Sequence, residues 1–230
     1  MNKFPVTQAH RELSLTVHPN YTFLPMQHLS KQEQEARFAE GYQLAFDTTT
    51  KRPRWDRVVP LWKAAASAGH VRAQFYLGTC YDNGYYVSQD AAQAYRWFFK
   101  AARAGHPDAQ YNVGMFYRDG DGPVRVNMRK AVRWFHRAAT QGASDAQLNM
   151  GFACFYGEGT PEDKMAAVEW YRRAAAQGNE KAMCNLGLCY RDGAGVAASA
   201  RWARHYFEKA MHNGHKAARI YLQELYNGYR

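Results

Sequence analysis

A chain of 230 residues with 47% hydrophobic, 15% aromatic and 22% charged residues holds enough apolar side chains to pack a core along most of its length, which excludes a wholly disordered protein. A formal charge of +10 leaves nucleic acid, an acidic protein surface or an anionic membrane surface open as partners. No run approaches the roughly 20 apolar residues of a membrane-spanning helix, so a helical span is excluded for this sequence.

The first thirty residues show no sustained periodicity and are broken by Pro5, Pro19 and Pro25, so residues 1–30 read as an extended arm. Its apolar patch, Leu13 to Val17, is too weak for a signal-peptide core, and the expected location is cytoplasmic. Tyr21, Phe23, Leu24 and Met26 of the arm could lie in a groove of the same chain or of a neighbour.

Regular helix is expected from Ser30, where Ser30 and Glu33 have the spacing of a capping box. Ala36, Phe38, Gly41, Tyr42, Leu44 and Phe46 follow at helical spacing. A polar loop, Thr48 to Arg54, leads to a second helix with Asp56 as N-cap and Pro60 in the first turn. Residues 31–69 thus read as a degenerate opening repeat.

From there the sequence is periodic. Gly69, Gly105, Gly142, Gly178 and Gly214 recur at steps of 36 or 37 residues, each followed four positions later by Ala73, Ala109, Ala146, Ala182 or Ala218. Gly78, Gly114, Gly151 and Gly187 stand five residues beyond these alanines. The pairs Trp97-Phe98, Trp134-Phe135, Trp170-Tyr171 and Tyr206-Phe207 precede the turn glycines, with Leu61-Trp62 in the first unit.

Each unit predicts a helix of about twelve residues, a glycine-containing turn and a second helix announced by an N-cap at Asp90, Asn127, Asp163 or Ser199. The internal glycines, unfavourable in an exposed helix by roughly 1 kcal/mol, imply a close approach within or between hairpins. The aromatic pairs are expected to fill the space between units, with Trp134 and Trp170 among the most expensive residues to truncate. Residues 70–214 make four units, and His215 to Tyr226, within 215–230, a closing helix.

The pattern Ala146...Met150-Gly151...Gly157-Glu158-Gly159...Asp163...Trp170-Tyr171...Ala174-Ala175...Gly178 resembles the Sel1-like repeat, a relative of the tetratricopeptide repeat. The resemblance covers about residues 55 to 230. It implies an all-α, right-handed α-α superhelix of helical hairpins and a non-catalytic scaffold or adaptor role in protein assembly. An immunity protein that blocks a toxin enzyme is the alternative it raises. Departures fall in the turns: Tyr86 replaces a glycine, and Cys154 stands where other units have Tyr81, Tyr117, Tyr190 and Tyr226.

No catalytic constellation or cofactor fingerprint is visible, and no cofactor is expected. A β-lactam hydrolase, known in a cysteine-rich branch, would carry regularly paired cysteines, whereas Cys80, Cys154, Cys184 and Cys189 are irregularly spaced and read as free thiols. His70, His106 and His215 share one repeat position, one unit apart, and none pairs at zinc spacing. Asp119, Asp121 and Gly122 faintly resemble a calcium loop, but Lys130 replaces its final acid, so a turn is the expectation. Basic residues such as Arg96, Arg103, Arg129, Arg133, Arg172 and Arg173 are spread through every unit, which reads as solvated helix faces more than as a nucleic-acid footprint.

Counting from the repeat alanine as zero, positions four, five and eight of the first helix form the packing side and positions two, three, six and nine the other. Position three holds Tyr76, Asn112, Asn149, Asn185 and Tyr221. Around this ladder stand Phe75 and Tyr111 at position two, Met115, Phe152 and Leu188 at position six, and Arg118, Phe155 and Arg191 at position nine. In related tetratricopeptide proteins the equivalent helix lines the concave groove, and an asparagine there can hold a peptide backbone by donating and accepting at once. These residues are therefore the candidate partner site, for a protein or peptide. The competing reading has the asparagines bridge neighbouring helices and position two buried between units.

Overall fold

A computed structural model describes residues 29–47 and 53–227. The arm residues Tyr21, Phe23, Leu24 and Met26 lie outside the described residues, as does most of the loop before Arg54.

The described residues form eleven helices and no strand: α1 (Lys31–Phe46), α2 (Trp55–Ser67), α3 (Val71–Asn83), α4 (Ala91–Arg103), α5 (Pro107–Asp119), α6 (Met128–Thr140), α7 (Ser144–Tyr156), α8 (Lys164–Ala176), α9 (Glu180–Asp192), α10 (Ala200–His212) and α11 (Ala218–Asn227). They pair as hairpins, α1 with α2 through α9 with α10, and α11 closes the stack. We call the first helix of each hairpin the A helix and the second the B helix.

The caps follow from local chemistry. Ser30 and Glu33 complete the expected capping box at the start of α1. Asp90, Asn127, Asp163 and Ser199 each accept from a backbone N–H in the first turn of α4, α6, α8 and α10. The A helices α3, α5, α7 and α9 end at Gly84, Gly120, Gly157 and Gly193, all left-handed. Tyr86 takes the same backbone region with φ 56°, so the turn survives loss of its glycine. Cys154 likewise keeps the turn bond of its unit, its carbonyl accepting from Asp163 N at 2.7 Å as that of Tyr117 does from Asn127.

The internal glycines explain how each hairpin closes. A Cβ on Gly78 would lie 2.7 Å from the Phe98 ring, and one on Gly114 2.5 Å from that of Phe135. Gly151 against Tyr171 and Gly187 against Phe207 are tighter still. The opening hairpin repeats the arrangement, with Gly41 under Trp62, a side chain with no exposed surface. In every case an A-helix glycine receives the second member of the B-helix aromatic pair within one hairpin.

That placement corrects the expected role of the pair. Phe98, Phe135, Tyr171 and Phe207 are buried, whereas Trp97, Trp134, Trp170 and Tyr206 are only half-buried. Neighbours in a helix sit about 100° apart, so one ring of a pair can face the A helix and the other turns outward. The outward rings reach the preceding unit, Trp134 edge-on to Phe99 and Trp170 to His136, while the inward Phe98 also lies 6.3 Å from Phe116 of the following unit.

Two helix starts differ from the sequence reading. Asp56 is inside α2, paired with Arg54 at 2.9 Å, and Arg54 holds the cap position without a side-chain bond. Pro60 therefore falls in the second turn, where it removes an intrahelical donor rather than occupying a free first-turn place. The closing helix begins at Ala218 rather than His215, whose Nδ1 is buried without a partner.

Phe135→Ala should lower stability by about 3–5 kcal/mol, because it empties the space over Gly114, and Trp134→Ala should cost less. Urea unfolding of the two variants checks the order; a larger loss for Trp134→Ala contradicts the arrangement.

Candidate functional site

The A helices stack side by side, and their free faces line an open groove of about 1670 Å³ that runs from α3 to the start of α9. Phe75, Tyr76, Tyr111, Asn112, Met115, Arg118, Asn149 and Phe152 all contribute to it. Asn185, Tyr221, Phe155 and Arg191 do not; the ladder stops contributing after α7.

The three asparagines are not equivalent. Asn112 is half-buried and its amide makes no hydrogen bond among the described residues, so donor and acceptor are both available. Asn149 donates to Asp145 O at 2.8 Å and accepts from Arg118 at 3.4 Å, a contact between adjacent A helices. Asn185 has a buried Nδ2 with no hydrogen-bond partner among the described residues and lies beyond the end of the groove lining.

The aromatic positions also differ. Tyr76 sits in a cluster with Phe38, Tyr42 and Trp62, and burial pushes its phenol up to about 12. Phe75 stacks on His106 of the next unit at 4.5 Å, and the other position-two residues Leu148 and Cys184 are buried. Position two is thus partly a contact between units, as the competing reading held. Tyr111 is half-buried over Phe135, its phenol raised chiefly by burial. Phe152 and Tyr156 stack on each other and are 39% and 61% exposed, an open aromatic step on the α7 side. Arg118 and Arg191 each grip the following aspartate, at 2.7 and 2.6 Å, and Arg191 also reaches Glu224. The Phe155 ring lies under the Lys164 ammonium, and Tyr221 under Arg191.

Asp82 adds a carboxylate at the groove edge, its pKa raised by burial and then by Asp121 of the next unit. Asp121 itself accepts from Gly122 N at 2.7 Å and Asp119 pairs with Arg118, a turn stabilised by its own side chains.

A buried column missed in the sequence runs between successive units. Gln74, Gln110 and Gln147, at position one, donate to the carbonyls of Ala66, Ala102 and Ala139 of the preceding B helix. Gln110 and Gln147 in turn accept from Gln141 and Gln177 at 2.8 Å, so each amide joins successive units. In α9 Met183 takes this place, 3.7 Å from Asn213. A polar residue recurring beside the repeat alanine was the available signal.

The histidines have a structural place. His70 and His106 cap α3 and α5 through Nδ1, and burial lowers the pKa of His106, favouring the neutral ring that can accept. Asn179 does the same for α9. Cys80, Cys154, Cys184 and Cys189 are free and buried, and burial pushes the Cys80 thiol up to about 12 and the last two to about 11. Buried protonated thiols are poor nucleophiles.

The sequence pattern of the Sel1 repeat matches residues 71–106, 107–142, 144–179 and 180–215, more than half of the chain. Among solved structures, a protective antigen of uropathogenic Escherichia coli with an SLR fold is 35% identical with a TM-score of 0.77, over 84% of this chain and 41% of that one. A Sel1 repeat protein of Oxalobacter formigenes is 27% identical with a TM-score of 0.75, over 89% and 79%. An immunity protein of Pseudomonas aeruginosa, 24% identical with a TM-score of 0.52 over 83% and 69%, shares the fold. A stretch of 71 residues, 31% of this chain, is 32% identical to chitin synthase regulatory factor 2 of Schizosaccharomyces pombe and covers 14% of it.

Gln147→Ala should cost about 1–3 kcal/mol, because it strands the Ala139 carbonyl in a buried place and also removes the bond from the exposed Gln177. Gln147→Met, the residue of the matching place in α9, should cost less. Thermal or urea unfolding compares them, and equal losses would deny the column its role.

Proposed function

Because the chain belongs to the Sel1 repeat family, whose members are generally non-catalytic interaction modules, we propose that it is a scaffold or adaptor that holds an extended protein segment in the A-helix groove. The observation that carries this reading is the unpartnered amide of Asn112 on the groove floor, between Tyr111, Met115 and Arg118. A peptide backbone satisfies such an amide twice over, and each bond contributes about 0.5–1.5 kcal/mol net. Half-exposed aromatics, a methionine and an arginine supply the anchoring surface typical of interaction hot spots.

The regulatory factor of Schizosaccharomyces pombe and the protective antigen of Escherichia coli are each longer than the stretch this chain matches, so their roles as whole proteins are not carried over. The immunity role rests on likeness of fold alone, and the groove suits an enzyme's loop no better than any other extended segment.

The test is affinity capture followed by mass spectrometry, with wild type beside an Asn112→Ala/Asn149→Ala variant. The double variant should keep its far-ultraviolet circular dichroism and lose the captured partner about tenfold or more in affinity, by loss of about 1.4 kcal/mol. Asn185→Ala should leave capture unchanged. Capture unaffected by the double variant would remove the groove as the site.

A further inference from the structure

The basic residues that are scattered in sequence are gathered in space. The four B helices α4, α6, α8 and α10 carry thirteen lysines and arginines against two acids, whereas the A helices α3, α5, α7 and α9 carry four against six. In a stack of hairpins, one position of each unit becomes one stripe on one side. Spread along the chain is therefore no argument against a patch here, and the reading of these residues as unconnected solvated faces is revised.

Part of this charge serves the fold. Lys100, Arg137 and Arg173 lie over the rings of Trp97, Trp134 and Trp170 at 4.1, 4.6 and 4.9 Å, in last turns where the helix dipole favours cations. Lys130, Lys164, Arg172 and Arg204 likewise have ring, hydrogen-bond or ion-pair partners, but four arginines have no such account. Arg96, Arg129, Arg133 and Arg201 are exposed and make no ion pair, hydrogen bond or ring contact among the described residues. Arg129 and Arg201 moreover occupy the first turns of α6 and α10, which have no acidic residue and where the dipole opposes a positive charge. Folding does not call for them.

Beside these cations the B layer exposes apolar side chains, Met165 at 75% and Trp202 at 47%, in the first turns of α8 and α10. Arginine with exposed tryptophan and methionine matches the composition of a protein interface, whereas a duplex phosphate backbone is met by a more polar surface, and a single strand is told apart by the oligothymidylate arm of the test.

We propose that the outer face of the B helices is a second docking surface, whose occupant is a partner protein with an acidic surface. It faces away from the groove and does not depend on that site being occupied. An adaptor needs two surfaces, and the opposite charge balance of the two layers keeps their partners apart.

The probe is a labelled peptide of interspersed glutamates and leucines, read by fluorescence anisotropy against full-length wild type. Beside it stand a single-stranded oligothymidylate of equal charge and phosphatidylserine vesicles. Changing Arg96, Arg129, Arg133 and Arg201 together to Glu should weaken peptide binding about tenfold or more, and changing them to Gln should weaken it less. The Asn112→Ala/Asn149→Ala variant should bind the peptide as wild type does. Peptide binding unchanged by the four substitutions, or tighter binding of the oligothymidylate or the vesicles than of the peptide, overturns the proposal. Stability is an independent arm: Arg129→Glu and Arg201→Glu should melt at or above the wild-type temperature, and a lower midpoint would show that these arginines serve the fold.

Discussion

The structure depends on one repeated contact, an aromatic ring seated on a glycine where the two helices of a hairpin cross. Glycine in mid-helix is unfavourable by roughly 1 kcal/mol, and it is offset because the ring it admits buries a whole aromatic side chain. The contact fixes the depth of approach of the two helices, and its recurrence from Gly41 with Trp62 to Gly187 with Phe207 gives each hairpin the same cross-section. Nine consecutive helices of thirteen residues, α2 to α10, share that cross-section. Once the units are alike, equivalent residues line up into columns.

Those columns divide the work. The aromatic column closes the hairpins, and the glutamine column ties the units of α3, α5 and α7 to the preceding ones through the carbonyls of Ala66, Ala102 and Ala139. With both packing tasks met inside, the outer sides of the two layers are left to vary. On the A side this leaves aromatics and amides around a groove, and on the B side arginines whose charge the helices themselves do not require. A surface substitution in such a stack alters one rung of a column and little of the rest, since each unit touches only its neighbours.

Local features were legible in the sequence because local chemistry decides them. The caps at Asp90, Asn127, Asp163 and Ser199, the capping box at Ser30 and the left-handed turns each depend on a few adjacent residues. The repeat period likewise gave the hairpins. What could not be read was direction. Two adjacent aromatics carry no mark of which one faces inward, so the sequence points to both as filler between units and to Trp134 as costly to truncate, while Phe135 is the ring seated on Gly114. Three asparagines at one repeat position look alike until their neighbours are known. Asn112 is open, Asn149 is held by Asp145 and Arg118, and Asn185 has its Nδ2 buried beyond the end of the groove. The basic face was missed for a different reason, because clustering was sought along the chain while the fold clusters residues a full unit apart.

The most direct test of the groove assignment is amide hydrogen exchange of the protein with and without its captured partner. If the A-helix groove is the site, binding slows exchange in α5 and α7, around Asn112 and Asn149, while the B helices change little. Slowing confined to the B helices, with α5 and α7 unaltered, would contradict it.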